Sequence, residues 1–185
     1  IKRDNDYFIY VIDDFFKNNA IINNFSITDL DHLIFFPATK KEPSTDQIDS
    51  YIDEIFKKYQ TQLPVAVIGI GGGSAMDVAK SISVMLCNEG SSKEYQGWDL
   101  PKNRGVYKIG IPTIAGSGSE ASRTAVLMGK DRKFGINSDF SMFDAIILDS
   151  NLIKSVPIDQ RFYSGMDCYI HCVESLEGTY INQIA

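Results

Sequence analysis

Three adjacent glycines between an apolar strand and a helical pattern constrain this chain more than any other feature. In VAVIGIGGGSAMDVAK, residues 65–80, Val65, Val67, Ile68 and Ile70 read as a short buried strand, with Pro64 marking its start. Gly71, Gly72 and Gly73 then permit a tight turn and a close approach of the main chain to a ligand. Ser74 is placed to cap the helix that follows, whose free amides and positive dipole end favour an anion. Met76, Ala79, Ile82, Ser83 and Leu86 recur at helical spacing as one face. The pattern predicts a phosphate seat; the alternative is a strand-to-helix turn with no ligand. Gly69, Gly71 and Ser74 stand where G-x-G-x-x-G requires three glycines, so the ordinary dinucleotide fingerprint is not met.

Around this segment, strands alternate with helices. Residues 7–13 (YFIYVID), 33–36, 107–111 and 145–148 (AIIL) read as further strands, with Pro37 and Pro112 closing two of them. Each of the first two strands is expected to lead into a helix. The clearer helix starts near Ser44 or Thr45, where Ile48, Tyr51, Ile52, Ile55, Phe56 and Tyr59 line one face. Alternation of this kind predicts an α/β fold with a mainly parallel sheet. A second glycine-rich segment, PTIAGSGSEASRT, leaves the strand ending at Ile111, so both glycine loops are expected at one crevice outside the carboxyl ends of the strands. From about Asp159 a long helix takes over, carrying Phe162, Met166, Tyr169, Ile170 and Val173, with Gly178 as its stop. The boundary between the α/β part and the helical part falls near residues 150–158.

The length of 185 residues with 44% hydrophobic composition suits one α/β domain and the beginning of another. With 18 basic against 24 acidic residues and no basic stripe, nucleic acid is not an expected partner. No apolar run reaches membrane-spanning length, and residues 1–25 lack the order of a signal peptide, so a cytoplasmic location with no membrane partner is expected. Three cysteines, Cys87, Cys168 and Cys172, in no framework spacing fit a reducing compartment, and Cys168 and Cys172 are expected as buried free thiols.

On the last helix Asp167 and His171 stand at i and i+4, one turn apart on one face. A carboxylate with an imidazole suits Fe(II), Zn(II) or Mn(II); the alternative is a helix-surface hydrogen bond. Two ligands do not complete a catalytic site, so further donors must come from elsewhere. His32 reads as a turn or surface residue.

GGGSAMDVAK, IPTIAGSGSEASRT and GMDCYIHCVESLEG, in this order and spacing, resemble the iron-containing alcohol dehydrogenase family, which shares its fold with dehydroquinate synthase and glycerol dehydrogenase. The resemblance implies a Rossmann-like dinucleotide-binding α/β domain, residues 1–150, followed by the start of an all-helical metal-binding domain, residues 151–185. It places Asp13 at the adenosine ribose, Gly72, Gly73, Ser74 and Asp77 at the pyrophosphate, and Thr113 and Ser117 beside the phosphate and nicotinamide, with Leu148 among the cofactor contacts. Asp167 and His171 match the first two ligands of the family's Asp-His-His-His metal site. NAD or NADP and a divalent metal, Fe2+ or Zn2+, are the implied cofactors. A homodimer or larger assembly is the implied state. Asp13 leans towards NAD, since a carboxylate there repels a 2′-phosphate.

Within the family, YQGWDL and NSDFSMFD look most like the 3-deoxy-D-manno-octulosonate 8-oxidase branch, which oxidises a primary alcohol of a sugar acid and belongs to lipopolysaccharide biosynthesis. The chain departs from the family pattern at Ile114, where many relatives carry threonine, and at Asn137, Ser138 and Asp139, where many carry a lysine near the substrate. It also begins after the segment that usually precedes the first strand and ends before the two later histidines.

The expected chemistry is oxidation of a primary alcohol of a polyol or sugar acid to an aldehyde. A metal acts as Lewis acid, and hydride passes to nicotinamide. Arg123 is the candidate partner for a substrate carboxylate, with a surface salt bridge as its alternative role. Two other readings stand beside this one: a nucleotide-binding fragment without turnover, because the metal site is incomplete, and a dehydroquinate synthase-like lyase. The scarcity of basic residues around the glycine loops counts against the lyase.

Overall fold

The computed structural model describes residues 6–37, 42–130, 132–154 and 156–177. The chain runs β1 (Phe8–Asp13), β2 (His32–Phe36), α1 (Thr45–Tyr59), β3 (Ala66–Gly71), α2 (Gly73–Met85), β4 (Gly97–Trp98), β5 (Lys108–Pro112), β6 (Thr124–Met128), β7 (Lys133–Asn137), β8 (Ala145–Ile146) and α3 (Ile158–Glu177), joined by loops and short 3-10 turns. The main sheet has the order β2-β1-β3-β5-β8, and every pairing in it is parallel. Strand alternation sends Ile9, Val11 and Val67 to one face, where Ile48 and Ile55 of α1 and Val78 and Ile82 of α2 cover them. Tyr10, Ile12, Ile68, Ile70 and Ile111 point to the other face, under Phe16 and Leu152. Burial on both faces is why these strands are uninterrupted apolar runs in the sequence.

Helix α1 begins as its sequence predicts, with the Ser44 hydroxyl accepting from the Gln47 amide at 3.3 Å. Helix α2 does not. Gly72 is its N-cap, no side chain caps it, and Ser74 lies inside the first turn. The amide groups at its start are therefore left for another partner. The helix is buried from Ala75 through Met85, because β1, β3 and β5 pack on one side and β6 on the other. The apolar face read from Met76 to Leu86 is only part of what it buries.

Several elements differ from expectation. Between β1 and β2 the chain makes two 3-10 turns, Asp14–Phe16 and Ala20–Asn24, instead of a helix. Asn18, Asn19, Asn23 and Asn24 explain this, since short amide side chains compete for backbone hydrogen bonds. A second sheet, β4-β7-β6, was not anticipated; β6 and β7 pair antiparallel and β4 joins β7 in parallel. The strand read over 145–148 is limited to its first two residues. His32 opens β2 half-buried, edge-on to the Tyr59 ring at 5.9 Å, rather than lying in a surface turn. Cys168 and Cys172 are exposed rather than buried, on a helix whose residues are mostly exposed among those described. The expected stop at Gly178 lies outside the described residues. Among the described residues no helix is long and apolar enough to cross a membrane.

Candidate functional site

From β1 the chain steps to β2 on one side, and β3 then pairs on the other side of β1. The gap outside the carboxyl ends of β1 and β3 is thus a topological switch point, where open parallel sheets bind ligands. Asp13 closes β1 there and Gly71 closes β3. The two are in close contact: a Cβ at Gly71 would sit 3.0 Å from that of Asp13 and 2.7 Å from that of Ala75. Gly71 also has a φ of +155°, so a side chain is excluded by conformation as well as by space.

A cavity of about 510 Å³ opens at this point, within the usual range for small-molecule sites. Gly72, Gly73 and Ser74 form one wall and Thr113, Ile114 and Ser117 of the second glycine loop form another. Phe15, Phe16, Leu152, Val156 and Pro157 supply an apolar wall. The uncapped start of α2 faces this space. Free amides and the helix dipole there fit a phosphate, and the close packing around Gly72 and Gly73 fits a main chain laid against it. Asp13 accepts from the Phe15 amide at 3.1 Å; burial pushes its carboxyl pKa up and that hydrogen bond opposes the shift.

The second loop is tied to the first. The Thr113 amide donates to the Gly71 carbonyl at 2.9 Å, and a Cβ on Gly73 would lie 3.1 Å from Ser117 Oγ. Thr113 and Ser117 therefore reach the cavity together with Gly72, Gly73, Ser74 and Asp13.

Asp77, Leu148 and Arg123 do not line the cavity. Asp77 points into the interior, where its Oδ1 accepts from Ser119 Oγ at 2.7 Å. Leu148 is 76% exposed. Arg123 pairs with Asp99, and its Nε lies 3.2 Å from Asp139, so its charge is already matched by two carboxylates. This is the salt-bridge role that the sequence offered as the alternative to a substrate contact; both partners lie far along the chain from Arg123, so the sequence could not name them.

Burial raises the Asp77 carboxyl pKa to about 6, against the opposing pull of Lys80 and the Ser119 hydrogen bond. A folded-state pKa above the unfolded one means that the folded protein holds this proton more tightly. The resulting stability is present below about pH 4 and is lost as pH rises through about 6. The wild type is expected to lose on the order of 3 kcal/mol across that window relative to Asp77→Asn. The Asn variant keeps an oxygen to accept from Ser119 and does not titrate. Urea denaturation of both proteins at a series of pH values checks this; parallel profiles would refute the assignment.

Helix α3 brings a third wall. Gln160, Tyr163, Ser164 and Asp167 line the cavity at spacings of three and four, so they share one helical face. Gln160, Tyr163 and Ser164 were not singled out from the sequence. Stepping back from Asp167 by three, four and seven would have found them. His171 lies one turn beyond, with Nε2 3.8 Å from Asp167 Oδ1, and both side chains are about half exposed. No third His, Cys, Asp or Glu among the described residues joins them. A catalytic zinc site uses three protein ligands, so Asp167 and His171 are in number part of such a donor set.

Fold and site together define an open, all-parallel five-stranded sheet with a cleft at its switch point and a helix along one wall of that cleft. Residues 8–150 match the family described as iron-containing alcohol dehydrogenase, and the chain belongs to that family. It is 37% identical over 145 residues to the sulfoacetaldehyde reductase of Bilophila wadsworthia, covering 77% of this chain and 36% of that protein. It is 38% identical over 112 residues to long-chain-alcohol dehydrogenase 1 of Geobacillus thermodenitrificans, covering 59% of this chain and 28% of that one. The sulfoacetaldehyde reductase from Bifidobacterium kashiwanohense, crystallised in complex with NAD+, superposes with a TM-score of 0.73 at 26% identity over 88% of this chain and 43% of that chain. A 1,3-propanediol oxidoreductase superposes with a TM-score of 0.82 at 23% identity, over 97% of this chain and 47% of that chain. The chain thus spans less than half the length of each of these relatives.

Proposed function

We propose that this chain is the nucleotide-binding part of an NAD-dependent alcohol oxidoreductase. In this reading residues 1–150 form the dinucleotide-binding domain and 151–185 begin the helical metal-binding domain. The observation that carries it is the uncapped start of α2, set at the switch point of the sheet and open to a cavity that Asp13, Thr113, Ser117 and Asp167 share. Main-chain amides at Gly73 and Ser74 hold the pyrophosphate, Asp13 meets the adenosine ribose and favours NAD over NADP, and the Ser117 loop orients the nicotinamide. Bound NAD supplies the hydride acceptor; the apolar wall of Phe15, Phe16 and Leu152 keeps the cleft dry. Asp167 and His171 are two of the donors for a divalent metal, Fe2+ or Zn2+. The substrate is a primary alcohol. It is carried by a polyol or a sugar acid such as 3-deoxy-D-manno-octulosonate; the adjoining cavity, which shares Ile114, Val156 and Ser164, is lined by Lys154 and Arg161. The protein works in the cytoplasm as a homodimer or larger assembly, a setting that its three free cysteines suit.

A second reading, nucleotide binding without turnover, is favoured for the 185 residues alone by the two-donor metal set. Calorimetry with NAD+ and an assay of NADH formation from a panel of primary alcohols, with Fe2+ or Zn2+ supplied, separate the readings. Saturable NAD+ binding is expected in either case. NADH formation by this chain would rule out the second reading, and absence of NAD+ binding would rule out both.

A further inference from the structure

Lys80 is fully buried, an expensive position for an ammonium group. Burial lowers its pKa to about 8, with Asp77 and Glu120 opposing that shift and Lys108 adding to it. Its surroundings give the charge a use. Lys80 Nζ donates to the Ser119 carbonyl at 2.5 Å, the Ser122 carbonyl at 3.0 Å and the Thr124 carbonyl at 2.9 Å, with Ser122 Oγ at 3.2 Å. All of these acceptors lie in the segment that leaves the second glycine loop. One turn earlier on the same helix, Asp77 takes the Ser119 hydroxyl. The Ser119 amide in turn donates to Ser117 Oγ at 3.3 Å, which reaches the cavity wall.

The second loop is therefore fastened at both ends to the strand and helix that carry the first. Thr113 is held by the Gly71 carbonyl, and Ser119 through Thr124 are held by Lys80 and Asp77. Between these fixings run Gly116 and Gly118, both at positive φ, so the loop's own backbone does little to fix its course. An apolar side chain at position 80 could fill the same space, but it could not supply three directed donors to main-chain oxygens.

We propose that Lys80 is a positioning residue: it sets the spacing between the two glycine loops, and through Ser119 and Ser117 the orientation of the ligand portion held between Gly73 and Ser117. The orienting part rests on the dinucleotide reading given above, in which the nicotinamide end meets the second loop and the adenosine end meets Asp13.

Lys80→Met removes the donors while keeping an unbranched side chain only one heavy atom shorter. It is compared with Lys80→Arg, which keeps charge and donors, by two measurements on the full chain: amide hydrogen exchange over residues 117–124 without ligand, and dissociation constants for NAD+ and for AMP. Lys80→Met is expected to exchange at least about tenfold faster at 117–124 with β1 and β3 unchanged. It should also weaken NAD+ about tenfold or more while AMP changes less than about threefold, with partial recovery in Lys80→Arg. Unchanged exchange at 117–124 overturns the proposal. Equal weakening of NAD+ and AMP overturns it as well, because a general loosening of the fold would do the same. If Lys80→Met fails to fold, Lys80→Gln is judged by the same criteria. If the wild type binds neither NAD+ nor AMP, the dinucleotide reading falls, and exchange at 117–124 alone decides whether Lys80 holds the loop.

Discussion

Gly116→Ala is expected to lower stability by about 2 kcal/mol or more and to weaken NAD+ binding about 10- to 100-fold. Gly116 has a φ of +145°, and a Cβ there would come within 2.1 Å of the Ser164 carbonyl oxygen and 2.6 Å of its carbon. These are main-chain atoms of α3, so no rotamer change relieves the clash. Either the loop or the helix must move by about 1 Å to restore contact distance. Both lie on the cavity: Ser117 follows in the loop, and Ser164 stands three residues before Asp167 on the face of α3 that lines the cleft. One added methyl group thus changes the spacing between the glycine loops and the helix carrying Asp167 and His171. Gly118→Ala is the control. It has a φ of +64°, but a Cβ there meets nothing within 4 Å, so only the local conformational cost of about 1 kcal/mol is expected, with little change in NAD+ affinity. Urea denaturation and calorimetry on both variants check this. Equal effects at the two positions would show that contact with α3 is immaterial.

The contrast between those two glycines shows where sequence reading ends. Both belong to the motif AGSGSE, and nothing in the motif says which of them backs onto another helix. What was legible came from local order. β1, β3, α1 and the order strand, glycines, helix are written as apolar runs closed by turn residues, and the parallel sheet follows from their alternation. β6 and β7 carried a weaker signal, two five-residue strands on either side of residues 129–132, and it was overshadowed by the adjoining glycine-rich segment. The resemblance put Asp77 at the pyrophosphate. Asp77 sits three residues from Lys80 on α2, a spacing that ordinarily belongs to a solvated face. Here the helix is buried all round between two sheets, so both charges turn inward to the second loop. Whether a helix is covered on one side or two depends on a sheet formed some fifty residues later, and no local pattern reports it.

Gly73→Val is expected to weaken NAD+ binding about 100-fold or more, while Ser74→Ala weakens it only a few-fold. Gly73 is the first residue of α2, and a Cβ there would already lie 3.1 Å from Ser117 Oγ and 3.4 Å from its Cβ. The two methyl groups of valine extend past that point into the gap between the loops, which is the space a pyrophosphate would need. Valine costs little helix propensity at a first position, so the fold should survive and thermal denaturation should show it. Ser74→Ala deletes one hydroxyl and leaves every amide at the helix start in place, so about 1 kcal/mol is at stake. The asymmetry follows from what holds the anion. A site made of main-chain N–H groups tolerates loss of side-chain atoms and is destroyed by their addition, whereas a site made of side chains behaves in the opposite way. Calorimetry with NAD+ on both variants decides between them: if Ser74→Ala loses as much affinity as Gly73→Val, the hydroxyl and not the uncapped helix is holding the phosphate.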